Sequence, residues 1–123
     1  MYNSFRNLLF KIMVVVFLSN LLAAQHTINT EVISIRDGLS SNLLRDIMQD
    51  KYGYLWIATS DGINIYDGYN IKVVKHDPED STSLPSNDIR RVFEDSEGTI
   101  WVSTINGIAK YNREKNSYST YRY

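Results

Sequence analysis

Acid–base or metal chemistry in this sequence would have to come from two histidines and a scatter of carboxylates. His26 and His76 lie far apart, and neither has a partner at the spacing of a metal site or a catalytic triad. His76, beside Asp77-Pro78, reads as an exposed loop residue, and His26 falls just after an apolar N-terminal run. The densest acidic group is Glu94-Asp95-Ser96-Glu97, a candidate cation site. Calcium loops alternate their oxygen ligands regularly, which this group does not, so it reads as a solvated turn. The chain has no cysteine, which excludes disulfides and thiolate metal centres. Gly-rich phosphate loops are missing as well. The sequence therefore assigns no catalytic residue, no cofactor-binding residue and no metal ligand, and it points away from an enzyme.

The elements that would position such residues are bounded by composition. The 123 residues suffice for one small domain, and 43% hydrophobic with 22% charged content is that of a globular chain. Nine tyrosines and only two prolines favour strands with aromatic packing. A net charge of −1, with no Lys/Arg-rich stripe after the N-terminus, gives no electrostatic basis for nucleic-acid binding. A small domain without disulfides must draw its stability from packing, and here that packing is expected to involve more protein than this chain contains.

The N-terminus reads as an address. Residues 1–11 carry Arg6 and Lys11 and no acid, residues 12–24 are apolar apart from Ser19 and Asn20, and Gln25-His26-Thr27 returns to polar. A basic region, a short apolar core and a small-residue exit make a secretory signal peptide, with cleavage expected after Ala24. The apolar run is shorter than the roughly 20 residues that span a bilayer, which argues against a retained anchor. Removal of residues 1–24 takes away two basic residues and leaves 11 basic and 14 acidic, a net charge of −3.

The rest of the chain repeats itself. Leu39–Tyr66 aligns with Leu84–Tyr111 without a gap at an offset of 45, with 11 identities in 28 positions. The signature is Asn42, Asp50, Gly53, Trp56, Thr59, Gly62 and Tyr66 in the first copy. In the second it is Asn87, Asp95, Gly98, Trp101, Thr104, Gly107 and Tyr111. Each copy reads as four short strands, which in the first are 44–49, 54–59, 63–66 and 70–75. Asp50-Lys-Tyr-Gly53 and Asp95-Ser-Glu-Gly98 fit turns with Asp at the first position and Gly at the fourth. Asp61-Gly62 and Asn106-Gly107 are the favoured pairs for two-residue hairpins, and Asp67-Gly68 is a third such signal. In the second copy Asn112–Asn116 makes a longer loop before a last strand at 118–122.

Four antiparallel strands per 45 residues is the size of a β-propeller blade. The fold class is therefore all-β: two four-stranded antiparallel β-propeller blades, an incomplete propeller, after an N-terminal signal helix. The expected division is a signal peptide at 1–24, a lead-in strand at 25–37, blade 1 at 38–79 and blade 2 at 80–123. Trp56 and Trp101 are expected to fill the space between blades. Ser40-Ser41-Asn42 and Ser86-Asn87 recur in phase and are expected to bond backbone in the connections between blades.

The in-phase run from Leu39-Ser-Ser-Asn42 through Leu55-Trp-Ile to Tyr66, repeated from Leu84 to Tyr111, resembles the two-component regulator propeller repeat. That repeat builds the periplasmic sensor half of hybrid two-component systems of Bacteroidetes. The resemblance covers roughly residues 33–123, and Val32–Gly38 looks like the segment that leads into the first blade. It implies a larger parent with more blades, a membrane span and a histidine kinase, of which this chain is an N-terminal fragment. It also implies export to the periplasm, an oligosaccharide ligand outside the cell and control of polysaccharide-utilisation genes. Expected partners are further blades or other copies of the chain, with no nucleic acid and no cofactor. Membrane contact is expected only through the signal peptide or the missing parent region.

Two other functions fit a propeller. Some glycosidases and lyases are propellers with Asp-box turns, and Asp95-Ser-Glu-Gly98-Thr-Ile-Trp101 resembles one, but its Asp stands three residues before the Gly rather than two. No paired carboxylates outside turns suggest glycoside cleavage. A protein-interaction scaffold is the other, since fold alone does not decide function. Two blades leave apolar faces open, and repeat folds generally need at least about three units. The purified chain lacking residues 1–24 is therefore expected to be marginal, to aggregate or to assemble, and equilibrium sedimentation that found a stable, cooperatively folded monomer would overturn this.

Overall fold

Among the described residues, short β-branched and aromatic runs separated by Asp, Asn and Gly give eight strands in two sheets. A computed structural model describes residues 1–22 and 28–122 of the chain. The chain divides into two units, Met1–Glu31 and Val32–Tyr123. In the first, helix α1 spans Tyr2–Leu22. Among the described residues no helix is long and apolar enough to cross a membrane. The cleavage position expected after Ala24 lies outside the described residues, as does His26.

Strands β1 (Leu44–Gln49), β2 (Leu55–Thr59), β3 (Gly62–Tyr66) and β4 (Ile71–Val74) form one antiparallel meander. Strands β5 (Ile89–Glu94), β6 (Ile100–Thr104), β7 (Gly107–Asn112) and β8 (Ser117–Tyr121) form the second, in the same order. Both sheets carry a register shift in their first strand pair, at Leu44/Asp46 and at Ile89/Arg91. A bulge at the same place in both copies sharpens the twist that lets one sheet lie on the next.

The hairpin register differs by one residue from the sequence expectation. Thr59 pairs with Gly62 and Thr104 with Gly107, so the loops are Ser60-Asp61 and Ile105-Asn106. The threonine decides this. Thr59 Oγ1 donates to the Gly62 carbonyl at 2.8 Å and accepts from Asp61 N at 3.1 Å. Thr104 repeats both bonds with Gly107 and Asn106 at 3.0 and 3.1 Å. Each glycine then opens a strand with positive φ, +115° at Gly62 and +137° at Gly107.

The lead-in segment is not a strand. Among the described residues, 28–34 pair with no sheet, and Ile35–Asp37 is a single 3-10 turn. Ser34 and Asp37 cap it reciprocally and Gly38 ends it in the left-handed region, so the local bonds of Ser34 and Asp37 replace a ladder. Leu39 and Ser40 then lie on the outer face of the first blade. Leu39 is buried, Ser40 N donates to Asn64 Oδ1 at 2.8 Å, and Ser40 Oγ meets Thr59 Oγ1 at 2.9 Å. With both faces covered, β2 is buried along nearly its whole length rather than at alternate positions.

The main core lies between the sheets. Trp56, Ala58 and Ile63 of the first blade meet Ile89, Val92, Ile100, Val102, Ala109 and Tyr118 of the second, with Leu84 of the connection among them. Full burial of one such aliphatic side chain contributes about 1.5–3 kcal/mol. At Gly62 and at its counterpart Gly107 the packing leaves no room, since a Cβ would lie 2.7 Å from the Val74 carbonyl oxygen at the first and 2.5 Å from the Tyr121 carbonyl oxygen at the second. Gly68 also has positive φ but has nothing within 4 Å. Gly62→Ala is therefore expected to lower stability by more than about 2 kcal/mol and Gly68→Ala by about 1 kcal/mol. Urea unfolding of the two variants checks this, and equal losses would show that backbone strain alone sets the cost.

Candidate functional site

The two Asp turns organise the side chains that seemed most able to do chemistry. In the first, Asp50 N donates to the Tyr54 carbonyl and Gly53 N to the Asp50 carbonyl, both at 2.9 Å, with Gly53 at φ +90°. Asp50 Oδ1 accepts from Tyr52 N at 2.9 Å and Tyr54 N at 3.0 Å. Its Oδ2 reaches over the turn to accept from Trp56 Nε1 at 3.0 Å. The second copy repeats this. Asp95 Oδ1 accepts from Glu97 N at 3.0 Å and Thr99 N at 2.8 Å, and Oδ2 accepts from Trp101 Nε1 at 2.8 Å. The Asp, Gly and Trp of the signature are thus one device. The carboxylate closes the turn and satisfies the indole N–H that burial would leave without water.

The copies differ in what completes the carboxylate. Arg113, in the loop after β7, donates to Asp50 Oδ2 at 2.7 Å; the Asp50 side chain is fully buried and that of Arg113 is 36% exposed. The guanidinium carbon lies 4.5 Å from the Tyr52 ring centroid, and Tyr111 packs edge-on against Trp56 at 5.2 Å. Four further bonds join the blades. Val92 N donates to Asp46 Oδ2 at 3.1 Å and Lys51 N to Glu94 Oε2 at 2.9 Å. Gly62 N donates to the Asn87 carbonyl at 2.7 Å and Lys72 Nζ to Asn116 Oδ1 at 2.9 Å. Glu94, read from sequence as part of a solvated turn, is therefore half-buried in the joint between blades.

Burial pushes the Asp50 carboxyl up. The Arg113 guanidinium, the Trp56 indole and the Tyr54 and Tyr52 amides more than offset this and hold it below the usual carboxylate range. Trp101 is the first cause of the same downward direction at Asp95, followed by the Thr99 amide.

Trp56, 1% exposed, fills the space between blades as expected. Trp101 does not. It lies on the outer face of the second blade, half-buried, stacked on Phe93 at 6.4 Å and beside Tyr121 at 6.1 Å. His76 is also not the exposed residue expected. It is half-buried in the connection between blades, its N donating to Asn87 Oδ1 at 2.7 Å and its ring Nδ1 against the Leu84 carbonyl. Asn42, the counterpart of Asn87, is exposed. Tyr66 donates to the Gly68 carbonyl at 2.8 Å and Tyr111 to Asn116 Oδ1 at 3.0 Å. Among the described residues no group of three or more His, Asp or Glu side chains is placed to hold a metal ion.

The same connection walls an open polar cleft of about 550 Å³, lined by His76, Asp77, Asp80, Ser83 and the end of β8 at Thr120 and Arg122. It offers hydrogen-bonding groups of both kinds and no aromatic platform.

Sequence reasoning did not find Arg113, Asp46, Asn64 or Glu94 as joining residues. Asp50 and Arg113 are 63 positions apart, and Arg113 sits in a loop that the first copy lacks, so the repeat carries no signal for it.

Residues 38–61 and 83–106 each match the two component regulator propeller family. Both copies are two component regulator propeller repeats. Each matched span contains the Asp–Gly–Trp turn described above and ends at the two-residue loop after β2 or β6. Over 48 residues the chain is 52% identical to Histidine kinase P4 of Formosa agariphila, covering 39% of this chain and 4% of that protein. Its fold matches the extracellular domain of BT3049 of B. thetaiotaomicron, assigned as a hybrid two component system. That match has 36% identity and a TM-score of 0.69 over 76% of this chain and 13% of the other. The extracellular domain of BT4673 of the same organism shares the fold at 22% identity and a TM-score of 0.62, with 14% of its length spanned. The propeller repeats here thus correspond to a small part of each relative.

In these repeats the Asp50 carboxylate is ionised more readily folded than unfolded, so its contribution is complete above about pH 5 and fades as pH falls through the lowered folded-state value. Asp50→Asn places an amide donor among donors. With Arg113 partly in solvent, the expected loss at pH 7 is about 2–4 kcal/mol. Urea unfolding should show parent and variant converging as the pH is lowered toward about 3; a constant gap would place the loss in packing instead.

Proposed function

We propose that this chain is a non-catalytic ligand-recognition segment of an extracytoplasmic sensor in a hybrid two-component signalling protein. Residues 1–24 would direct it to the periplasm and be removed, 25–37 would lead in, and 38–79 and 80–123 would be the two blades. The observation that carries this reading is the 36% identity over 76% of the chain to the extracellular domain of a hybrid two component system, together with both family matches. Phosphoryl transfer would belong to another part of the parent protein.

The proposed ligand is a glycan-derived oligosaccharide. Support comes from the chemistry of the connection cleft, whose Asp, Ser and Arg side chains supply both acceptors and donors for hydroxyl groups. Asp50 and Asp95 are engaged in their turns and Asp46 and Glu94 in the joint between blades, so a sugar-cleaving reading would have to draw on the cleft's own Asp77, Glu79 and Asp80.

The test uses the full chain without residues 1–24 on a glycan array, followed by a hydrolysis assay on whatever binds. Binding without turnover is the expected result. Turnover would replace recognition by carbohydrate cleavage, and capture of protein partners with no glycan bound would favour a scaffold.

A further inference from the structure

The connection that walls the polar cleft carries a histidine that the repeat does not call for. His76 stands where the register of the first copy has Glu31, outside both sets of signature residues. The connection is held by its own bonds. His76 N donates to Asn87 Oδ1 at 2.7 Å and Asp77 N to Ser83 Oγ at 2.9 Å, and that hydroxyl donates in turn to the Asp77 carbonyl at 2.8 Å. Tyr118 N donates to the Thr82 carbonyl at 2.7 Å, which ties the connection to β8. A wall fixed in this way before a ligand arrives loses little freedom on binding.

The His76 ring is fixed with it. Its Nδ1 lies against the Leu84 carbonyl, an oxygen that can only accept. Nδ1 therefore carries a proton, and in the neutral ring Nε2 is left as an acceptor. Ser83 Oγ, 3.5 Å from Nδ1, is already directed at the Asp77 carbonyl. Among the described residues nothing bonds to Nε2, although the ring lines the cleft. We infer that Nε2 faces the cleft and accepts a hydrogen bond from a sugar hydroxyl, which makes His76 a specificity-determining residue for uncharged oligosaccharides. The inference rests on the proposed recognition of a glycan in this cleft.

The rest of the lining narrows the class. Asp77 Oδ1 accepts from Glu79 N at 2.9 Å and Asp80 Oδ1 from Thr82 N at 2.8 Å. The ion pairs of the described residues join Lys75 to Asp61, Arg90 to Asp88 and Arg113 to Asp50, so Asp77, Glu79 and Asp80 belong to none of them. A carboxylated or sulfated sugar would bring its anion against all three. Carboxylates alone would also suit a cation, but Arg122 lines the same cleft and needs an acceptor, which an ammonium group lacks. A hydroxyl meets both demands: it donates to Nε2 or a carboxylate and accepts from the guanidinium.

Two substitutions in the full chain separate the two edges of the ring. His76→Asn keeps a donor for the Leu84 carbonyl and removes the acceptor, whereas His76→Gln places an amide near the site of Nε2 and gives up the Leu84 bond. The probes are an array of uncharged, carboxylated, sulfated and amine-bearing oligosaccharides. The expected result is tightest binding to an uncharged probe. His76→Asn should weaken that binding by about tenfold and keep the urea midpoint, while His76→Gln should weaken it by less than about threefold and lower the midpoint. Long-range proton–nitrogen spectra, in which His26 and His76 are the only imidazoles, should show His76 protonated at Nδ1. A proton on Nε2, parent-like affinity in His76→Asn, or a preference for a charged probe overturns the inference and leaves glycan recognition standing. Equal losses of affinity and urea midpoint in both variants also overturn it, by reducing His76 to a structural role. A chain with the expected spectrum that binds no probe overturns the recognition of oligosaccharides and this inference with it.

Discussion

The joint between the blades depends on one carboxylate being fully satisfied. Asp50 accepts two backbone amides on one oxygen and an indole and a guanidinium on the other, with its side chain out of contact with water. Each bond fixes something different. The amides set the turn between β1 and β2, the indole orients Trp56 into the core, and Arg113 ties the loop after β7 to the first blade. A buried carboxylate with fewer donors would cost more than it contributes. Four donors make burial tolerable, and that burial allows Trp56 to be covered from both sides. Trp56 in turn gives Tyr111 its edge-on contact, so the core between the blades grows outward from a polar centre.

Much of this was legible in the sequence, because the repeat fixes phase. Two copies in register place Asp, Gly and Trp on the same turn twice, and the four-strand meander follows from strand lengths and turn residues. The hairpins show where composition misleads. Asp-Gly and Asn-Gly are favoured loop pairs, yet Thr59 and Thr104 pull the glycines into the strands by bonding their carbonyls. The lead-in segment shows the same conflict. Val32–Ile35 is β-branched and apolar apart from Ser34, as a strand would be, but Ser34 and Asp37 cap each other locally and, among the described residues, no sheet edge takes it up. Arg113 was invisible for another reason: it belongs to a contact between copies rather than to either copy, and self-similarity reports only what the copies share.

The two ends of the pair are not equivalent, and the repeat alone would have made them so. The outer face of the first blade carries Asn64 where the second has Ala109, and that amide holds Ser40, just after the lead-in segment, while its Nδ2 also donates to the Ile57 carbonyl of β2. A polar side chain in that position is acceptable only with its bonds made. The outer face of the second blade keeps the apolar and aromatic character of an internal joint. One face is specialised to receive the lead-in segment, and the other retains the general chemistry of the repeat, so the pair has a direction.

That use of carboxylates also bears on what the turns can do chemically. A general acid in glycoside cleavage needs a carboxyl whose proton is held up toward the working pH. Asp50 and Asp95 are held in the opposite direction, by donors that stabilise the ionised form. Nor can either act freely as a base or nucleophile, because its oxygens point at amides and an indole rather than at a cleft. The resemblance of these turns to an Asp-box is therefore a resemblance of turn mechanics: a carboxylate folding the chain back on itself and anchoring an aromatic ring. The polar connection between blades is arranged differently: His76, Asn87 and Ser83 hold the backbone there while the neighbouring Asp77, Asp80 and Arg122 face the open cleft.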